Sequence, residues 1–143
     1  MNETQFKSEL PRGFQGAFAC DELKPPSSLP ASYIVNTDPR CLPGKHWVAI
    51  FINKNGDGEY FDSFGSKPNE DICKFFKRNC SKVYYNTKRI QHDRSISCGV
   101  YCIYFLKQRH NAVPMCKTLI PLSVKDKVTN ELKLIRFFML NFK

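Results

Sequence analysis

The sequence predicts an α+β fold, an antiparallel sheet flanked by helices, and three stretches carry that expectation. His46 to Ile52 (His-Trp-Val-Ala-Ile-Phe-Ile) is almost continuously apolar and rich in β-branched and aromatic residues, the pattern of a central strand buried on both faces. Gly99 to Leu106 is apolar nearly all round, which argues for a buried helix. Ser123 to Phe142 places apolar residues at 124, 128, 132, 135, 138, 139 and 142, an amphipathic helix expected to cover the core.

Taken in order, residues 1–30 read as an irregular segment, because Pro11, Gly13, Gly16, Pro25-Pro26 and Pro30 interrupt any long element. Tyr33–Asn36 is a short β-like run. Past the strand at 46–52, Asn55-Gly56 and Asp57-Gly58 are strong hairpin signals, and Glu59 to Asp62 returns as the partner strand. An antiparallel hairpin brings its outer ends together, so His46 and Asp62 are expected to meet. Pro68 followed by Asn69, Glu70 and Asp71 marks a helix start with acid at the positive end of the dipole. Ile72, Phe75, Phe76 and Asn79 continue it at helical spacing, and Val83-Tyr84-Tyr85 reads as a further strand. No repeat or linker divides the chain. One domain over 1–143 is expected, with 1–30 irregular and 123–142 as its C-terminal helix.

Bulk properties narrow the classes. A chain of 143 residues, 42% apolar with twelve Phe and six Tyr, can bury a core and is too apolar for intrinsic disorder. No stretch approaches a membrane span, and Met1 to Lys7 lacks the features of a secretory signal, so an intracellular, non-secreted protein is expected. Seven irregularly spaced cysteines then read as reduced thiols. Without a C-x-x-C pair, and with three scattered histidines, zinc is not expected. The net charge of +9 belongs to the later two-thirds of the chain, since residues 1–40 hold four basic and five acidic side chains, 41–97 ten and six, and 98–143 eight and two. Such an excess fits either a solvated surface or a polyanion partner such as nucleic acid.

Four residues carry possible chemistry. Only a thiolate attacks a carbonyl, and Cys98 falls at the first turn of the expected buried helix, where unpaired N–H groups and the dipole favour the anion. His46 would take its proton, and Asp62 would orient the imidazole. Gln91 would donate its side-chain N–H to the oxyanion, beside the backbone N–H of Cys98 or Gly99. Each also has an ordinary reading. Cys98 resembles a core thiol like Cys102, His46 an edge histidine, Asp62 a turn-capping aspartate and Gln91 a surface amide. Trp47 is either core or a shield over the cleft. His92 is a rival base ranked below His46 for lying so near Cys98 in sequence, and His110 reads as a positive charge at a helix C-terminus.

Taken together, Gly44-Lys45-His46-Trp47-Val48-Ala49, Phe61-Asp62-Ser63-Phe64-Gly65, Gln91 and Ser97-Cys98-Gly99-Val100-Tyr101-Cys102 resemble the adenovirus maturation protease (adenain) family. They are closer still to its relatives in Polinton/Maverick elements and adenovirus-like DNA viruses. Ile34-Val35-Asn36-Thr37 adds to the likeness, which runs from about Phe14 to Leu106. The resemblance implies an adenain-like cysteine protease fold with a papain-like site in permuted order. Its catalytic set would be His46, Asp62 and Cys98, with Gln91 in the oxyanion hole, and no cofactor would be required for the chemistry.

Cleavage after small, glycine-rich sequences is implied, with Trp47 closing a narrow cleft over capsid precursors in the virion or host nucleus. Adenoviral members carry glutamate at the carboxylate position, whereas Asp62 follows the ubiquitin-like-protein-specific proteases and leaves removal of such modifiers as the alternative substrate. The resemblance also raises activation by DNA and by a basic peptide that forms a disulfide, with Cys80 standing where the partner cysteine would fall. A monomer is expected, and a catalytically inactive, basic nucleic-acid-binding module is the remaining reading.

Overall fold

The apolar run after His46 becomes the middle of a five-stranded sheet. The strands are β1 (Phe14–Ala19), β2 (Ala31–Asn36), β3 (Trp47–Ile52), β4 (Gly58–Phe61) and β5 (Val83–Tyr85), lying side by side in that order. The helices are α1 (Glu3–Glu9), α2 (Glu70–Asn79), α3 (Cys98–His110), α4 (Met115–Leu119) and α5 (Lys127–Asn141). This computed structural model describes residues 3–93 and 95–141.

Alternation along the strands builds two cores. Val48, Ile50 and Ile52 pack with Tyr33, Val35 and Tyr60 against Ile72, Phe75 and Phe76 of α2. Ala49 and Phe51 turn the other way and join Ile34 and Phe61 against α3. With both faces dry, β3 has no polar side to show, hence its unbroken apolar run. The thirteen-residue α3 is apolar all round for the same reason: Tyr101 to Leu106 are all buried, and Phe105 stacks on Phe61 with centroids 4.8 Å apart. Its C-terminal end is tied to the sheet by Arg109, whose Nε and Nη2 reach the two carboxylate oxygens of Glu59 at 2.6 and 2.9 Å. Asn69 caps α2 as its position suggests, accepting the Ile72 N–H at 3.0 Å.

The α+β class holds, but the sheet, expected to be antiparallel, is mixed. β2–β3 and β3–β4 are antiparallel, but β1–β2 and β4–β5 are parallel. Parallel neighbours need a crossover, and α2 supplies one between β4 and β5, the link at 20–30 the other.

Two further expectations need correction. Residues 1–30 are not irregular throughout: they contain α1 and β1. α1 is too short to show periodicity and is held by tertiary packing, Phe6 being fully buried edge-on to Trp47 at 5.2 Å. β1 is an edge strand whose register shifts between Phe14 and Gly16. The second correction concerns α5. Most of the expected core stripe faces outward: Val128, Leu132, Ile135 and Met139 of α5, and Val124 before it, are exposed, and of that stripe Phe138 alone among the described residues packs on the core. The inner face is Asn130 and Leu134, both buried, with Phe137 and Phe138 packed at the edge of the core. The helix is apolar on two sides. The core takes the larger aromatic residues, along with an asparagine whose amide bonds Ser123 and Ile90. Phe142, counted in the expected stripe, lies outside the described residues. Among the described residues no helix is long and apolar enough to cross a membrane.

Candidate active site

Hairpin register brings the histidine and carboxylate together. β3 and β4 pair Ala49 with Phe61 and Ile50 with Tyr60. The same register carried outward sets Val48 against Asp62 and His46 against Phe64. The His46 ring stacks on Phe64 at 4.6 Å, and its Nε2 lies 2.7 Å from Asp62 Oδ1. The approach to His46 is fixed by Gly44, at φ +98°, where an L side chain would be strained. Asn36 Oδ1 then accepts the N–H of Lys45 at 3.1 Å, and the Thr37 N–H donates to the His46 carbonyl at 2.9 Å.

Asp62 is buried, and its backbone is clasped by Asn86. That side chain accepts the Asp62 N–H at 3.0 Å and donates to the Asp62 carbonyl at 2.6 Å. Oδ1 also accepts the Phe64 N–H at 2.8 Å.

Cys98 is the first residue of α3, and its sulfur shares a cleft with the His46 ring, while the backbone N–H groups of Trp47 and Gly99 stand where they favour the thiolate. Since Nε2 of His46 is committed to Asp62, the ring nitrogen facing sulfur is Nδ1. Burial pushes the Cys98 thiol up, but these groups and the attraction of the imidazolium outweigh it, and its pKa is lowered. Burial likewise opposes the charge on His46. Hydrogen bonds to Asp62 and Cys98, and the pull of both anions, prevail and hold its pKa at about 9. The two shifts agree in sign: both favour the thiolate–imidazolium form of the pair.

Beside the sulfur lies a cleft of about 390 Å³ lined by His46, Trp47, Phe64, Gln91, Cys98 and Gly99. Gln91 is buried at its inner wall. Its Oε1 accepts from the Ser63 hydroxyl, and its Nε2 donates to the Ser95 carbonyl at 3.0 Å. A carboxamide nitrogen carries two hydrogens, so one remains for the cleft. The arrangement can generate a nucleophile, hold its proton and receive an oxyanion.

Residues 31–128 match the Ulp1 protease family, C-terminal catalytic domain. The chain belongs to that family. His46, Asp62, Gln91 and Cys98 all fall inside the matched residues. Among similar sequences, a protein of African swine fever virus is called a cysteine protease in one isolate and a SUMO-1 cysteine protease in another. These are 35% and 34% identical to this Ulp1-family chain over 88 residues, covering 53% of it and 32% of the viral protein. The protease of Bovine adenovirus 7 is 29% identical over 130 residues, covering 73% of this chain and 61% of the relative. This chain thus spans about a third of the African swine fever virus sequences it matches. A crystal structure of an African swine fever virus protease shares the fold, with a TM-score of 0.52 at 24% identity over 68% of this chain and 39% of that one.

Other residues singled out in this Ulp1-family sequence sit elsewhere or act otherwise. Trp47 lines the cleft, but its ring is wedged against Phe6 and the core around α3, so it forms a fixed wall, not a flap. His92 does not line the cleft; its carbonyl closes a turn by accepting the Ser95 N–H. His110 is the last residue of α3 and half-buried, its ring edge-on to Phe51 and Nε2 2.9 Å from Ser32 Oγ. Burial and neighbouring Arg109 lower its pKa, so it is not the helix-end charge the sequence suggests.

Cys80 ends α2 under the hairpin, against Phe76 and Gly58. Burial and then Asp57 push its thiol up to about 11. Among the described residues no group of three or more His, Cys, Asp or Glu is placed to hold a metal ion. Sequence reasoning missed Ser63, Asn86 and Ser95, which orient the site through contacts between distant segments. Only Ser63, directly after Asp62, had a local signal.

Proposed function

We propose that this chain is the catalytic domain of a cysteine endopeptidase. It hydrolyses peptide bonds after small, glycine-rich sequences, and its substrates are viral or mobile-element capsid precursors. The observation that carries this reading is the His46 Nε2–Asp62 Oδ1 bond beside a cleft that His46, Cys98 and Gln91 line together.

In the first step the Cys98 thiolate adds to the scissile carbonyl carbon, and the carbonyl π pair moves to oxygen. That oxyanion is met by the free Nε2 hydrogen of Gln91 and by first-turn N–H groups of α3. The imidazolium of His46 then gives its proton to the leaving nitrogen as the C–N bond breaks, leaving a thioester on Cys98. A water molecule, giving a proton to His46, attacks the thioester, and loss of the carboxylic acid restores the thiolate. Asp62 keeps the ring's Nε2 side occupied so that Nδ1 always faces sulfur.

Cys98→Ala is the test. Cleavage of a peptide panel with glycine near the scissile bond should vanish while the melting temperature is kept; persisting cleavage would end the proposal. Removal of ubiquitin-like modifiers is the second reading, favoured by an aspartate at position 62 and by the SUMO-1 naming of the African swine fever virus relative. A modifier ending in a Gly-Gly vinyl sulfone separates the two, because only a modifier-removing enzyme should react with it far faster than with the bare Gly-Gly peptide.

The same proposal includes an intracellular setting, a monomer, and non-specific DNA binding through the +9 charge. If DNA is a partner, affinity should fall steeply and linearly with log salt. Peptide activation through Cys80 belongs here as well. A thiol raised to about 11 and packed under the hairpin exchanges slowly at neutral pH, so such a disulfide would have to form after α2 shifts.

A further inference from the structure

The hydrogen bonds around Gln91 lead out of the cleft to α5, whose Glu131 lies beyond the residues matched to the family. Among the described residues, two groups hydrogen-bond the carboxamide. Ser63 Oγ is a hydroxyl and can donate or accept, so it permits either orientation of the amide. The Ser95 carbonyl only accepts. If the amide were turned over, Gln91 Oε1 would face that carbonyl, acceptor against acceptor. The orientation that leaves an N–H for the cleft therefore depends on where the Ser95 carbonyl stands.

Ser95 is in turn held by its hydroxyl, which donates to the Glu131 carboxylate and accepts the Ser97 N–H at 3.1 Å. The other end of the same loop is pinned from the neighbouring residue: buried Asn130 donates to the Ile90 carbonyl at 2.8 Å. Thus α5 holds Ile90 and Ser95, on either side of Gln91, and is not among the elements that line the cleft.

We propose that Glu131 is a positioning residue for the oxyanion hole, acting through Ser95 to set the orientation of the Gln91 carboxamide. The inference rests on the proposed peptidase reading. It assigns α5 a part in transition-state stabilisation and none in forming the thiolate, because Glu131 contacts neither His46 nor Cys98.

That division gives the test. Glu131→Ala should lower kcat on a Gly-Gly-containing peptide by about tenfold to a hundredfold with KM within about twofold, the scale of a catalytic donor moved by about 1 Å. A short peptide ending in Gly-Gly aldehyde, whose adduct with Cys98 places an oxyanion in the hole, should bind more weakly by a similar factor. Alkylation of Cys98 by iodoacetamide needs no oxyanion hole, and its rate and pH profile should not change. Glu131→Gln keeps an acceptor for the Ser95 hydroxyl and should restore most of the loss. Ser95→Ala cuts the same link from the loop and should reproduce Glu131→Ala, which keeps the test open if the helix variant unfolds.

Wild-type kcat and aldehyde affinity in folded Glu131→Ala, or in Ser95→Ala, would overturn the proposal. So would a parallel loss of alkylation rate, which would mean a general disturbance of the site. Failure of the peptidase reading looks different: wild-type protein would then show neither selective alkylation at Cys98 nor aldehyde binding.

Discussion

At Cys98 and His46 two opposed pKa shifts meet in one contact, and their signs define a working window. The thiolate exists above the lowered pKa of Cys98, and the imidazolium exists below about 9. Peptide hydrolysis needs both and should fall as pH rises through about 9, while alkylation, which needs only the thiolate, should persist there. Asp62→Asn removes a charge that holds the imidazolium. His46 should then titrate lower, Cys98 higher, and the acid limb of the alkylation profile should move to higher pH; an unmoved limb would exclude Asp62 from the pair. The shift also bears on folding. The pKa of His46 is raised from 6.5 to about 9, so its contribution to stability is complete below 6.5 and is lost as pH rises through about 9. These four residues were legible because each type stands at a punctuated place: the entry and exit of a hairpin, a helix start, and an amide shortly before it. Ser95 and Glu131 were not, since a bond between segments 36 positions apart has no local signature.

Among the elements, the β3–β4 hairpin was the most legible, because Asn-Gly and Asp-Gly fix the turn and an apolar run fixes the strand. β1 was not, being at an edge and interrupted by glycine. α5 shows how periodicity can point to the wrong face: of the expected stripe, 124, 128, 132, 135 and 139 are exposed and only Phe138 packs on the core, which otherwise takes 130, 134 and 137. The difference is measurable by urea denaturation. Leu134→Ala, at a fully buried position, should cost about 2–5 kcal/mol. Leu132→Ser or Ile135→Ser, on the exposed stripe, should stay within about 0.5 kcal/mol. Equal losses at 132 and 134 would return the stripe to the core.

For the whole molecule, the two-sided sheet places the catalytic parts at one end. β3 and β4 deliver His46 and Asp62, α3 delivers Cys98 from one core, and Gln91 and Ser95 close the wall under the hold of α5. The α+β class was readable in composition and periodicity; the parallel edges of the sheet were not, since strand direction is decided by crossovers. The central claim is that this frame makes one thiol of seven a nucleophile, and the exposed cysteines Cys41 and Cys116 supply an internal control. The direct measurement is peptide mapping after substoichiometric iodoacetamide at about pH 6.5, roughly two units below an ordinary thiol pKa. Label should concentrate on Cys98 although Cys41 and Cys116 are more exposed, and that preference should be lost in His46→Ala. Label distributed by exposure, with Cys41 and Cys116 ahead of Cys98, would contradict it.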